Sequence, residues 1–201
     1  MSKIFETPMS MAAFFKASHG TWLNRRAVHH LDHQDDEAAD SNLIIEPFGP
    51  QDPEVSKICN NLNVKTEDCT GGARFWWESN TKKGVRNDDY AAIVIDIPER
   101  NDSRKGFLLR DVGYVEKSSV ISTYSFASDG VLTITTRYDS NIGIERCWFV
   151  TDQLRMRVSS VQCLDGVTMT TYCTEFRCPT DDEIREVAHR ASDLANRTPI
   201  L

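Results

Sequence analysis

The chain has 201 residues, 40% of them hydrophobic and 26% charged, the balance of an ordinary soluble globular protein long enough to bury a real core. Its formal net charge of −7 argues against nonspecific nucleic-acid binding, which needs a positive surface to displace counterions from phosphates, so any anion site must be local. No apolar run approaches the roughly 20 residues a transmembrane helix needs, and M-S-K-I-F-E-T-P shows neither a secretory nor a transit signal, so a cytoplasmic or plastid-stroma protein without a membrane partner is expected.

Residues 9–20, M-S-M-A-A-F-F-K-A-S-H-G, predict a short helix with Ser10 as N-cap, Phe14 and Phe15 as its apolar edge, and Gly20 placed to end it. The first strand follows directly, with Trp22 at its start. Residues 32–40, D-H-Q-D-D-E-A-A-D, look like an acidic, structureless loop, and a second strand over 42–48 stops at Gly49-Pro50. Asp52 as N-cap and Pro53 at the first helical position then open a helix with Val55, Ile58 and Leu62 on one face. Strands recur over 73–79, 90–97, 106–112, 120–127, 131–138, 144–150, 154–163 and 168–177, separated by turns such as S-D-G and L-D-G. Thr180 or Asp181 caps a terminal helix reaching to residue 196, with acidic residues in its first turn as the dipole prefers. About eight to ten short strands at this spacing mean an all-β antiparallel sandwich or barrel, in one domain over residues 1–201.

Six cysteines show no C-x-x-C and no zinc-like spacing, so free thiols are expected. His29, His30 and His33 suggest metal ligands, but neighbours in a strand point apart and no cysteine or carboxylate sits at a matching spacing. They are taken as structural or as hydrogen-bond donors, with no metal. Phe75, Trp76, Trp77, Tyr90, Phe107, Tyr114, Trp148 and Phe149 make the strands rich in aromatics, which suits either a packed core or a large planar ligand. Residues 144–161, I-E-R-C-W-F-V-T-D-Q-L-R-M-R-V-S-S-V, carry the chemistry. As a hairpin turning at Thr151–Asp152, they set Glu145, Cys147 and Phe149 on one face of the first strand and Arg155, Arg157 and Ser159 on one face of the second. Plain periodicity turns the arginines to solvent, with Leu154, Met156 and Val158 to the core. If instead the terminal helix docks on the outer face, the arginines point into the barrel, where a buried guanidinium needs a carboxylate partner. Cys147 beside Glu145 is a candidate nucleophile set against the plainer role of a buried thiol.

With these residues placed, the whole chain resembles the S-type phycobiliprotein lyases, the CpcS/CpeS family. The resemblance runs through F-F-K-A-S-H-G-T-W-L-N-R-R-A-V-H-H-L, G-G-A-R-F-W-W, G-F-L-L-R-D-V-G-Y, E-R-C-W-F-V-T-D-Q-L-R-M-R-V-S-S-V and T-Y-C-T-E-F-R. It implies a lipocalin-like or fatty-acid-binding-like barrel that binds a phycobilin as substrate, phycoerythrobilin or phycocyanobilin, with no tightly bound cofactor. It further implies delivery of the bilin to a cysteine of an apo-phycobiliprotein subunit, a phycoerythrin β-subunit by preference, through a thioether. On that resemblance Glu145 and Arg155 are the catalytic candidates, and Arg157, Arg26, Trp77 and Ser159 the bilin-binding ones, with the arginines holding the propionates. Arg25, Arg74, Trp76 and Val158 depart from the family pattern. The alternative is a barrel that carries a carboxylated hydrophobic ligand and catalyses nothing. A homodimer is compatible with either reading, but no residue specifies it.

Overall fold

A computed structural model describes residues 5–32, 35–79, 82–113, 118–163 and 166–178. Its element order is α1 (Met11–Ser18), β1 (Gly20–His30), β2 (Asp35–Phe48), α2 (Pro53–Leu62), a 3-10 turn (Thr66–Asp68), β3 (Gly71–Ser79), β4 (Lys82–Glu99), β5 (Asp102–Arg110), β6 (Val120–Phe126), β7 (Leu132–Arg137), β8 (Asn141–Thr151), β9 (Leu154–Cys163) and β10 (Gly166–Arg177). The ten strands form an antiparallel meander in which β1 pairs with β10 as well as with β2, so the sheet closes on itself as a barrel. Among the described residues no helix is long and apolar enough to cross a membrane. The expected terminal helix over 180–196 lies outside the described residues.

Helix α1 plugs one end of the barrel. Ser10 caps it by accepting from the Ala13 N–H at 3.3 Å, and Met11, Phe14 and Phe15 bury against Trp22, Ile45, Ala73, Phe126, Leu132 and Phe149 from the barrel's inner face. Three donors fix its C-terminal turn. The Trp22 indole donates to the Ser18 carbonyl at 2.8 Å, and the Arg177 guanidinium donates to the carbonyls of Ala17 and His19 at 2.6 Å each while stacking 4.3 Å over Trp22. The helix ends at Ser18 with His19 as C-cap. Gly20, expected to end it, stands directly after that cap at φ +117 and also begins β1.

Helix α2 covers the outside of the barrel. Asp52 caps it by accepting from Glu54 N and is itself held by Arg74 at 2.7 and 2.9 Å, while Val55, Ile58 and Cys59 pack on the outward-facing Ile95 and Leu109. Close approach of β3 to its neighbours needs Gly72, where a Cβ would collide with the Val94 carbonyl and the Phe48 ring.

Two stretches expected as loop are strand. Residues 35–40 belong to β2 because their acidic side chains face basic ones on β1: Arg25 meets Asp40 at 3.0 Å and His29 meets Asp36 at 2.7 Å. Likewise β4 begins at Lys82 rather than Tyr90, since its polar start continues the ladder with β3, with Asn87 opposite Trp77 and Arg86 opposite Glu78. Hydropathy alone hides both extensions. Composition depleted in β formers is overridden by cross-strand pairing.

Candidate functional site

The barrel register stacks inward-facing side chains in tiers above the α1 plug. Deepest is the tier of Phe149, Arg155, Glu175 and Asn24, which are mutual partners across β8, β9, β10 and β1. Next come Cys147, Arg157, Cys173 and Arg26, and then Glu145, Ser159, Thr171 and Val28. Among the charged residues on β8 and β9 side-chain exposure rises from 3% at Arg155 to 15% at Arg157 and 25% at Glu145; on β1, Arg26 of the second tier is 41% exposed and Val28 of the third is buried. In a closed barrel, inner side chains reach water only through the lumen. Among the described residues the lumen is therefore shut at the α1 end, and its side chains reach water toward the other.

Arg155 and Arg157 thus point into the barrel, against plain periodicity. Arg155 donates from Nε to Glu175 Oε2 at 2.6 Å and from Nη1 to Ser18 Oγ at 2.8 Å, and it lies 4.9 Å over Trp22. Arg157 donates from Nε to the other oxygen of Glu175 at 3.2 Å, from Nη1 to Glu145 at 3.4 Å, and from Nη2 to Cys173 Sγ at 3.4 Å. A hydrogen-bonded chain therefore runs from α1 through Arg155, Glu175 and Arg157 to Glu145 in the open lumen. Two guanidiniums and two carboxylates balance in charge, as buried ions must.

Glu175 is the member that sequence reasoning missed. Its signal is present in T-Y-C-T-E-F-R, where alternation along β10 sets Cys173, Glu175 and Arg177 on one face, the same inner face of the sheet that carries both arginines of β9. Burial pushes the Glu175 carboxyl up, but the charges of Arg155 and Arg157 with their hydrogen bonds outweigh it, and its pKa lies below the ordinary carboxylate value. Cys147 behaves oppositely. Burial, helped by the Glu145 carboxylate 3.6 Å away, holds its thiol well above the usual range and keeps it protonated, against a nucleophilic role.

The other expected residues distribute along the wall. Ser159 sits opposite Glu145, and Trp77 lines the lumen with its ring centroid 6.0 Å from the Arg157 guanidinium. Arg26 lies in the tier of Arg157, its side chain 3.8 Å from Glu37, which also contacts His30 at 3.2 Å. Of the aromatic set, Phe75, Trp77 and Phe149 belong to the inner core, whereas Trp76, Phe107 and Trp148 alternate with inward residues and lie outside. Tyr90 and Tyr114 fall where side chains are not described. His29 pairs with Asp36 on the outer face, and His33 is outside the described residues. Among the described residues no group of three or more His, Cys, Asp or Glu is placed to hold a metal.

A closed antiparallel barrel with one plugged end and a charged, aromatic lumen belongs to the class of barrels that enclose a single small ligand. More specifically, the chain belongs to the CpeS-like protein family, whose model matches residues 10–178. It is 59% identical over 200 residues, the full length of both chains, to a chromophore lyase CpcS/CpeS of Synechococcus sp. strain WH8020. It is 43% identical over 91% of its length to chromophore lyase CpcS/CpeS 4 of Trichodesmium erythraeum, covering 95% of that protein. The solved S-type phycobiliprotein lyase CPES of Guillardia theta superposes with a TM-score of 0.69 at 26% identity, covering 86% of this chain and 94% of that one.

Proposed function

We propose that this chain is a bilin lyase: as one domain it takes a free phycobilin into the lumen and delivers it to a cysteine of an apo-phycobiliprotein subunit. The observation that carries the reading is the Glu145–Arg157 pair on the open side of a plugged barrel, in a chain whose relatives bear the name chromophore lyase. A phycobilin brings propionates for a guanidinium and pyrrole N–H groups for a carboxylate. Arg157, with Arg26 in its own tier and Ser159 one tier nearer the mouth, takes the propionate side; Glu145 accepts from pyrrole N–H groups or neutralises the protonated bilin. Arg155, only 3% exposed and held by Glu175 and Ser18, forms the floor on which that arrangement rests. Trp77 offers a flat face for a pyrrole ring.

The bond-forming step is an addition. The acceptor thiol sulfur bonds to the ethylidene carbon of ring A, the double-bond electrons move to the ring carbon, and the thiol proton ends there, so no oxidant or reductant is consumed. The lyase contributes position, electrostatic bias and exclusion of other nucleophiles. Phycoerythrobilin and a phycoerythrin β-subunit are the substrates we favour, in a cyanobacterial cytoplasm or plastid stroma. Titration with phycoerythrobilin and phycocyanobilin tests the reading: a sharpened, red-shifted band that saturates at one bilin per chain is expected, and unchanged spectra for both bilins refute it. Binding that never leads to transfer would leave the non-catalytic carrier.

A further inference from the structure

We propose that Glu175 is the positioning residue of the site: it touches no ligand, but it aims Arg157 into the lumen and prevents its collapse onto Glu145. The inference rests on the bilin-binding reading above and deepens it. Glu175 is fully buried and gives one carboxylate oxygen to each arginine, Oε2 to Arg155 and Oε1 to Arg157. The two guanidiniums stand two residues apart on one face of β9, about 7 Å along the strand, and like charges so close in a low-dielectric interior repel. A single carboxylate between them removes that repulsion.

Geometry divides the work of Arg157 among its edges. Its Nε edge is held from behind by Glu175, its Nη2 side rests on Cys173 Sγ at 3.4 Å, and Nη1 reaches Glu145 across the lumen at a long 3.4 Å. A planar guanidinium fixed on two sides presents its third in one direction. The contact with Glu145 is the loose one, so an incoming propionate displaces Glu145 from Nη1 and frees its carboxylate for the N–H groups of the ligand. Without Glu175, the Glu145 carboxylate stays within reach of Arg157, which turns to it, and this occupies both lumen-facing groups at once. Arg155 acts through the same carboxylate, anchored below by Ser18 of α1.

The test is a cycle between protein and ligand. Dissociation constants are measured by absorbance titration for wild type, Glu175→Gln and Glu175→Asp, each with phycoerythrobilin and with its propionate dimethyl ester; circular dichroism confirms folding. If Glu175 acts through Arg157, esterification weakens wild-type binding by about ten- to a hundredfold, the scale seen when a group orienting a primary ligand is lost. Glu175→Gln then weakens the free acid by a similar factor and leaves the ester unchanged, so the two losses do not multiply. Should Glu175→Gln fail to fold, Glu175→Asp, which keeps the charge but is one methylene too short to span both arginines, gives an intermediate loss with the acid and none with the ester. Losses that multiply would make Glu175 a purely structural residue and overturn the inference while leaving the bilin reading intact. Wild type binding neither compound would remove the bilin reading itself, and the inference with it.

Discussion

Replacing Arg155 by methionine tests the buried charge network most sharply, because the variant keeps the volume and removes one of two cations holding a fully buried carboxylate. Breaking a buried pair by deleting one partner costs roughly 3–5 kcal/mol, since the remaining charge is left undercompensated. For a chain of this size each kcal/mol moves the melting temperature by about 2–4 °C, so a loss of roughly 6–20 °C is expected at neutral pH. The pH dependence gives the cause away. In wild type the Glu175 pKa is depressed below its ordinary 4.5, so its contribution is present above that value and fades as pH falls through the folded pKa. In Arg155→Met, burial faces weaker opposition and the Glu175 pKa rises, so its penalty grows above pH 4.5 and is relieved by acid. The gap between the two proteins is therefore widest near neutrality and narrows toward pH 4. Calorimetry from pH 4 to 8 measures it, and the double variant Arg155→Met/Glu175→Leu recovers part of the loss. A gap below about 1 kcal/mol, or one independent of pH, would refute the account of the network.

Other outcomes follow from the same contacts. Asp96 is buried and accepts from Thr70 at 2.5 Å and Tyr124 at 2.9 Å; burial raises its pKa above 3.8 despite those bonds, so the ionised carboxylate weakens the fold increasingly as pH climbs past that value. Asp96→Asn should match wild type near pH 4 and equal or exceed it at pH 8 in thermal melts, and a variant less stable at pH 8 than at pH 4 relative to wild type contradicts this. Glu145→Gln keeps the volume and removes the lumen carboxylate; fold and melting temperature should hold within a few degrees while the bound-bilin band shifts and weakens, read by absorbance titration. Cys147→Ser should retain bilin transfer, because the thiol is protonated and no nucleophile is needed from the lyase; abolished transfer in a folded variant would reinstate the thiol. Gly72→Ala should cost several degrees of melting temperature through its clash with Val94 and Phe48.

Strand count, both described helices and their caps were legible because they depend on local rules: Ser10 and Asp52 as caps, Pro53 at the first turn, and alternation through β5 to β10. The acidic start of β2 was not, because Asp36 and Asp40 are stabilised by His29 and Arg25 across the sheet, and such pairing has no signature within one segment. At the site, the sequence brought Glu145, Arg157 and Ser159 together through one hairpin but left the direction of the arginines open. Their inward turn depends on Glu175, twenty residues from Arg155, and on Ser18 from the first helix. Partners so distant in the chain are joined by barrel closure, which periodicity cannot register. Trp76 and Trp148 were misplaced for a simpler reason: aromatic content says what a strand can line, and only the register says which side it lines.

The transfer reaction tests the central claim most directly. The chain is loaded with phycoerythrobilin, mixed with an apo-phycoerythrin β-subunit, denatured and run on a gel with zinc-induced bilin fluorescence as the readout. A fluorescent band at the subunit's mass that needs the acceptor cysteine, and that is absent when Glu145→Gln replaces wild type, is the predicted result. A bilin that binds the lumen yet remains extractable from every apo-subunit offered would contradict it.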